Sequence, residues 1–323
     1  LLESFPQFGG MMWRDGDDDG KMKRWTIDER LEGTGVDLII QNKMIRGLGI
    51  SFKRGLKKLF RMRVPREERG FLTHDHRKLI VVDGNVAFTG GMNVGNKYEA
   101  GTTWHDVHSR VRGSAVPVLE KLFYDRWHNA GGKGDALPAE SSDPWPGDLE
   151  VIVEENLPGV RLDVTDRYLD EIHNARKQVL IENPYFLYDP VVNALKQKAR
   201  EGVETVVIIP ANDLNDEGLA RDAFFFIQND VIRAGVKLYK YRDRMCHGKV
   251  AVFDGARTTL GTTNLDQMAM ERNAEVNLYV PDRGFAKETV SRVFDPDIDG
   301  SDRIEVKKHS WWTRVKGFLM HSI

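Results

Sequence analysis

Histidine, lysine, aspartate, glycine and asparagine recur at one fixed spacing in two places along this chain. Residues 76–93 read HRKLIVVDGNVAFTGGMN and residues 247–264 read HGKVAVFDGARTTLGTTN; both obey H-x-K-x4-D-x6-G-x2-N. His76 and His247, Lys78 and Lys249, Asp83 and Asp254, Gly90 and Gly261, and Asn93 and Asn264 are each 171 residues apart. One such string arises easily by chance, whereas two copies in register over five polar or glycine positions indicate a duplicated unit. The residue types suit one kind of chemistry. An imidazole, with an ordinary pKa of about 6.5, can attack an electrophile or carry a proton near neutrality. A lysine beside it holds an anion as a point charge, and an asparagine amide adds a hydrogen bond. Two imidazoles around one phosphodiester could divide the work: one attacks phosphorus, and the other protonates the leaving alcohol and deprotonates the incoming one. No H-E-x-x-H or Cys–His ligand spacing is present, so no metal and no cofactor is expected for this reaction.

The elements that must position these groups are legible nearby. KLIVVDG and KVAVFDG are short β-branched runs ending in Asp-Gly, the pattern of a strand entering a hairpin turn, and NVAFTGG and RTTLGTT supply the returning strands. Residues i and i+2 of a strand share a face, so each His and Lys project together and the asparagine comes back beside them. Asp83 and Asp254 fall in the turns, where a structural role suits them. Gly90 and Gly91 are expected to let backbone approach the bound phosphate. His74, His105 and His108 have no counterpart in the second copy, and Cys246 points away from His247 along the strand, as a small buried neighbour would.

Strand and helix patterns alternate from residue 164 to 241: VTDRYLDEIHNARK, DPVVNALKQKAREG and EGLARDAFFFIQNDVIRAG read as helices, and QVLIENPYF, VETVVIIP and VKLYKY as strands. The expected class is α/β, with two pseudo-symmetric lobes, each a mixed sheet flanked by helices. Residues 1–128 form the first lobe, the Gly/Pro/Ser-rich stretch 129–148 a linker, and 149–323 the second lobe. TGVDLIIQN (34–42) reads as the strand before the first motif and WRDGDDDGKMK (13–23) as an exposed loop; too few residues precede them for a complete lobe, so the first is expected to be truncated. The 323 residues are 41% hydrophobic and 30% charged with net charge −2, which fits a globular protein and excludes a polyanion binder by bulk charge. With one cysteine there is no internal disulfide, and no apolar run is long enough to span a bilayer.

The doubled motif resembles that of the phospholipase D superfamily. Residues 102–128, TTWHDVHSRVRGSAVPVLEKLFYDRWH, are similar to the W-R-D-x-H-x-x-I-x-G-P-A-V segment of bacterial cardiolipin synthases. IENPYF (181–186) resembles their Pro-Tyr-Phe strand, and GTTNLDQMAMERNAEVNLYV (261–280) their G-S-x-N-L-D and N-x-E. The likeness covers roughly residues 30–290 and lacks that family's amino-terminal membrane helices. It implies a phosphatidyl transferase working through a phosphohistidine, with His76, Lys78, Asp83, His247, Lys249 and Asp254 as the catalytic residues, Asn93 and Asn264 on the substrate phosphate, and Tyr185 at the pocket. It also implies an acid past each Gly-x-x-Asn corner that orients a histidine: Asp106 for His76 and Glu275 for His247. Because family members more often use the first copy, His76 is the expected nucleophile, although the residues alone leave the two histidines interchangeable. The acceptor stays open between water, phosphatidylglycerol and another alcohol, and hydrolysis of phospholipid headgroups or a family nuclease is the alternative activity.

A second stretch, KMIRGLGISFKRGLKKLFRMRVPREER (43–69), carries ten Lys/Arg and two Glu, a net +8. Phe52, Leu56 and Leu59 share a helical face, which makes it a basic amphipathic helix suited to an anionic lipid surface. HSWWTRVKGFLMH (309–321) adds a Trp pair beside basic residues. The expected partners are an anionic phospholipid and the membrane surface, peripherally; nucleic acid enters only under the nuclease alternative, which the scarcity of stacking aromatics in 43–69 disfavours.

Overall fold

A computed structural model describes residues 13–16, 22–25, 74–98, 104–129, 131–134, 147, 149–211 and 218–306. The basic segment 43–69, the Trp pair at 309–321, the expected strand at 34–42 and most of the expected linker lie outside them. Near the amino terminus, β1 (Trp13–Gly16) and β2 (Met22–Trp25) form an antiparallel ribbon with Trp13 opposite Trp25. The stretch expected to be an exposed loop at 13–23 thus contributes paired strand at Trp13–Gly16 and from Met22 onward.

The first motif builds β3 (Leu79–Val82) and β4 (Val86–Gly90), which with β6 (His108–Arg112) make a three-stranded antiparallel sheet in the order β3-β4-β6. A two-residue strand β5 (Trp104–His105) precedes β6, and helix α1 (Ala115–Asn129) follows it. The chain then lays down β7 (Ile152–Leu157), β8 (Arg161–Leu162), α2 (Asp163–Asn174), β9 (Gln178–Glu182), α3 (Asp189–Arg200), β10 (Glu204–Pro210), α4 (Gly218–Arg233) and β11 (Lys237–Tyr241). The strand–helix alternation expected over 164–241 is therefore what forms. The second motif follows as β12 (Met245–Cys246), β13 (Val250–Phe253) and β14 (Arg257–Gly261), then α5 (Gln267–Glu271), β15 (Glu275–Val280), α6 (Arg283–Thr289), a π-helical turn (Val290–Phe294), α7 (Asp295–Asp299) and β16 (Ser301–Arg303).

Nine of these strands join one mixed sheet in the order β16-β11-β10-β9-β13-β14-β15-β7-β8. β9, β10 and β11 run parallel through the crossover helices α3 and α4, and β13, β14, β15 and β7 continue antiparallel. The period-two alternation explains the near-continuous hydrophobic strands. Val179, Ile181, Val207, Ile209, Ala251 and Phe253 pack under α2, α3 and α4, while Leu180, Val206, Ile208, Val250 and Val252 face the carboxy-terminal helices with Phe294. The three-stranded sheet shares its core with the large one: Leu79, Ala87, Val111 and Leu119 cluster with Val276 and Leu278 of β15.

Both motif hairpins turn through Asp-Gly with positive φ at both central residues, 51° and 65° at Asp83-Gly84 and 53° and 59° at Asp254-Gly255. That is the type I′ geometry whose twist matches paired strands. Each turn lies at the far end of its strand from the histidine. Asp83 is exposed there. The Asp254 carboxylate instead accepts from the backbone N–H groups of Arg176, Lys177 and Gln178, at 2.8–3.1 Å, and so ties the start of β9 to the hairpin. Burial pushes its acidity the other way, yet these amides outweigh it and hold the carboxyl below its ordinary range. Grouping Asp83 and Asp254 with the catalytic residues is thereby corrected: the spacing that places them in the turn keeps them from the site.

Asp254→Ala removes charged hydrogen bonds worth about 1–3 kcal/mol in addition to the left-handed turn conformation, worth about 1–2 kcal/mol. Asp83→Ala should cost the turn contribution alone. Urea unfolding of the two variants measures the difference, and equal losses would contradict the anchoring role of Asp254.

Candidate active site

His247 is buried and His76 partly buried, and each rests on an acid from the other motif's side of the chain. His76 Nδ1 lies 2.7 Å from Glu275 Oε1, and His247 Nδ1 lies 2.7 Å from Asp106 Oδ2. The sequence-based pairing of Asp106 with His76 and Glu275 with His247 is therefore reversed. The reason is in the backbone. The N–H of His76 donates to the carbonyl of Ala274, and the N–H of His247 donates to the carbonyl of His105, so the residue before each acid is hydrogen-bonded to the opposite histidine. Met245 and Cys246 of β12 pair in parallel with Trp104 and His105 of β5, and Asp75 bridges Ala274 in the same sense.

Each acid needs room at the Gly corner. A Cβ on Gly91 would stand 2.1 Å from Asp106 Oδ1, so this glycine admits the acid that orients His247, rather than the phosphate it was expected to admit. At the same place in the second copy Thr262 donates its hydroxyl to Glu275. With Nδ1 of each ring held by its acid, attack or proton transfer by these rings would fall to Nε2.

The lysines follow the strand geometry. Lys78 Nζ donates to the carbonyl of His76 and Lys249 Nζ to that of His247, both at 2.7 Å. Lys249 Nζ also lies 3.1 and 3.2 Å from the two ring nitrogens of His247, a separation that places the ammonium over the ring face. Burial holds the pKa of His76 well below the ordinary imidazole value, and Lys78 and Lys249 lower it further. Burial does the same to His247, joined by Lys249, Lys78, His76 and Lys97. The crossed histidine–acid pairs, with the pairing of β5 to β12 and of Asp75 to Ala274, bring the two motifs together. Burial also raises the acids, Asp106 to about 7 and Glu275 to about 8, against the opposing pull of the lysines. Each imidazole–carboxyl pair is thus poised to keep or lose a single shared proton near neutrality.

Asn93 Nδ2 donates to the Tyr98 hydroxyl at 2.8 Å, while the side-chain oxygens of Asn93 and Asn264 are buried without a hydrogen-bond partner. Several supporting residues carried no signal in the repeat. Trp104 and Tyr98 wall His247, with ring centroids 4.7 and 5.7 Å away, and Lys97 sits over Trp104. Arg77, inside the first H-x-K, is buried against Asp75 and Glu155, the latter on β7. It anchors that strand to the large sheet. A polar residue inside H-x-K, next to an aspartate, was the only available hint. His108 lies opposite Gly90 in β6, its basicity lowered by burial.

A model of the family described as "Cardiolipin synthase, PLD-like domain" matches residues 168–297. A probable cardiolipin synthase of Bacillus subtilis is 30% identical over 238 residues, covering 71% of this chain and 47% of that protein. A cardiolipin synthase of Alkalihalophilus pseudofirmus is 32% identical over 224 residues, covering 65% and 44%. The chain spans about half the length of the curated relatives it matches. The crystal structure of a phosphatidylserine synthase from Haemophilus influenzae has the same fold, with TM-score 0.58 at 14% identity over 78% of this chain and 70% of that one.

A buried carboxyl that keeps its proton to about pH 8 stabilises the folded chain at low pH. Between the unfolded pKa, near 4, and the folded one, the native state holds more protons, so that stability is lost as pH rises. Glu275→Gln cannot ionise. The melting temperature of this variant relative to the wild type should therefore rise steadily from pH 5 to pH 8; a difference independent of pH would refute the raised pKa of Glu275.

Proposed function

Because the chain is an enzyme of the phospholipase D superfamily, most like the bacterial cardiolipin synthases, we propose that it transfers a phosphatidyl group through a phosphohistidine, converting two phosphatidylglycerol molecules to cardiolipin and glycerol. One observation carries the reading. Two imidazoles, each held at Nδ1 by a buried acid, are set beside two lysines. One Nε2 attacks phosphorus and the P–O bond to glycerol breaks, its oxygen taking a proton from the second imidazole. That imidazole then removes the proton from the hydroxyl of the second phosphatidylglycerol, which attacks, and the P–N bond breaks. Lys78 and Lys249 hold the phosphoryl oxygens, with the amides of Asn93 and Asn264 as further donors. Glu275 orients His76 and Asp106 orients His247.

The molecule is read as two lobes, 1–128 and 149–323, meeting at this site across the linker 129–148, with one H-x-K hairpin from each. Segments 43–69 and 309–321 bind it peripherally to anionic lipid. The family resemblance assigns the attack to His76. The opposite assignment has two observations in its favour. Lys249 over the ring keeps His247 in the neutral, attacking form. The Asp106 carboxyl, at about 7, also gives up its proton before that of Glu275, at about 8.

The product assay uses the full chain on phosphatidylglycerol, phosphatidylcholine and single-stranded DNA. Cardiolipin should form and should fall by at least about 10²–10⁴-fold in both His76→Ala and His247→Ala. Water as acceptor would yield phosphatidic acid, and DNA cleavage with lipid untouched would overturn the proposal. Acid-quenched mass spectrometry of the phosphorylated peptide identifies the nucleophile.

The two imidazole–carboxyl pairs should give kcat/KM a bell-shaped pH profile with limbs near pH 7 and pH 8, belonging to the pairs rather than to single residues. Asp106→Asn should move one limb and Glu275→Gln the other. A profile flat from pH 6 to 9 would contradict this.

A further inference from the structure

Behind the His247 strand lies a second polar cluster that the transfer reaction does not use. His105 Nε2 is 2.8 Å from Asp297 Oδ2 on α7 and 4.0 Å from Glu182 Oε1 at the end of β9. One ligand atom from each of the three residues lies within 4.8 Å of the others. Glu182 is fully buried and Asp297 nearly so, while His105 is partly open to solvent. Neither carboxylate oxygen of Glu182 meets an N–H or O–H donor within hydrogen-bonding geometry; its neighbours are the Asp297 carboxyl and the weakly donating Cys246 thiol. Gly248, the middle residue of the second H-x-K, leaves the space that Glu182 fills, since a Cβ there would stand 2.0 Å from Glu182 Oε1.

Two adjacent buried carboxyls require a compensating cation. A single proton between Glu182 and Asp297 satisfies one oxygen and leaves the other to the weak Cys246 S–H donor alone. A divalent ion balances both carboxylates and takes the imidazole as a third ligand. Ligand atoms about 2.1 Å from such an ion stand about 3–3.5 Å apart, and the observed 2.8 and 4.0 Å bracket that spacing. We propose that His105, Glu182 and Asp297 form a binding site for one divalent first-row cation, of the Zn²⁺ or Mn²⁺ class that mixed imidazole–carboxylate sets favour. Its ligands come from β5, β9 and α7. The ion clamps the carboxy-terminal helices to the residue that precedes Asp106 and accepts from the His247 N–H. The site is therefore a positioning device for the His247–Asp106 pair. No local motif announces it, because its ligands are spread over 192 residues of sequence.

The test is titration of the metal-stripped full chain with Zn²⁺ and with Mn²⁺, followed by calorimetry and thermal melting. Saturable binding of one equivalent with a rise in melting temperature is expected, weakened more than tenfold in Glu182→Gln and in Asp297→Asn. No binding by the wild type at about 1 mM of either ion overturns the site, as does affinity unchanged in folded variants. Should the variants not fold, Mn²⁺ added to the wild type must broaden the His105 ring resonances before those of the distant, exposed His173; equal broadening also overturns it.

Discussion

The two crossed hydrogen bonds, His76 to Glu275 and His247 to Asp106, are the constraint from which the site's geometry follows. A histidine from one copy of the motif is oriented by an acid that follows the other copy. Neither hairpin can hold its ring in a productive orientation by itself, because the oriented tautomer depends on a partner 199 or 141 residues away. The short bridges that bring β12 beside β5, and Asp75 beside Ala274, are what make the exchange possible.

Burial gives this arrangement its electrostatic character. Burial of both pairs makes each carboxyl hold its proton to unusually high pH and each imidazole resist taking a second one. The lysines oppose protonation of the rings and favour ionisation of the acids. Clustered titratable groups with such shifted pKa values are the mark of a functional site rather than of one optimised for stability.

The two copies solve the same problem with different residues. Where the first uses Gly91 to admit Asp106, the second uses Thr262 to bond Glu275. Inside H-x-K, Arg77 fixes the first strand through Asp75 and Glu155, whereas Gly248 yields its place to Glu182. The turn aspartates differ too: Asp254 ties down the start of β9, while Asp83 faces solvent. Shared spacing thus preserves the reacting groups and leaves their support free to vary.

The repeat made His76, Lys78, Asn93 and their partners legible, because strand periodicity and the Asp-Gly turn are local rules that put i and i+2 on one face. The alternation from β9 to β11 was legible for the same reason, since apolar spacing fixes each element's type. Which acid serves which histidine was not readable. Asp106 and Glu275 stand at matching places past their own hairpins, and only the pairing of β5 with β12 and of residue 75 with residue 274 decides the exchange. The role of Gly91, the packing of Trp104 on His247 and the meeting of His105, Glu182 and Asp297 were likewise hidden. Each depends on contacts between segments distant in the chain, and sequence spacing carries no record of which segments become neighbours once the two sheets share a core.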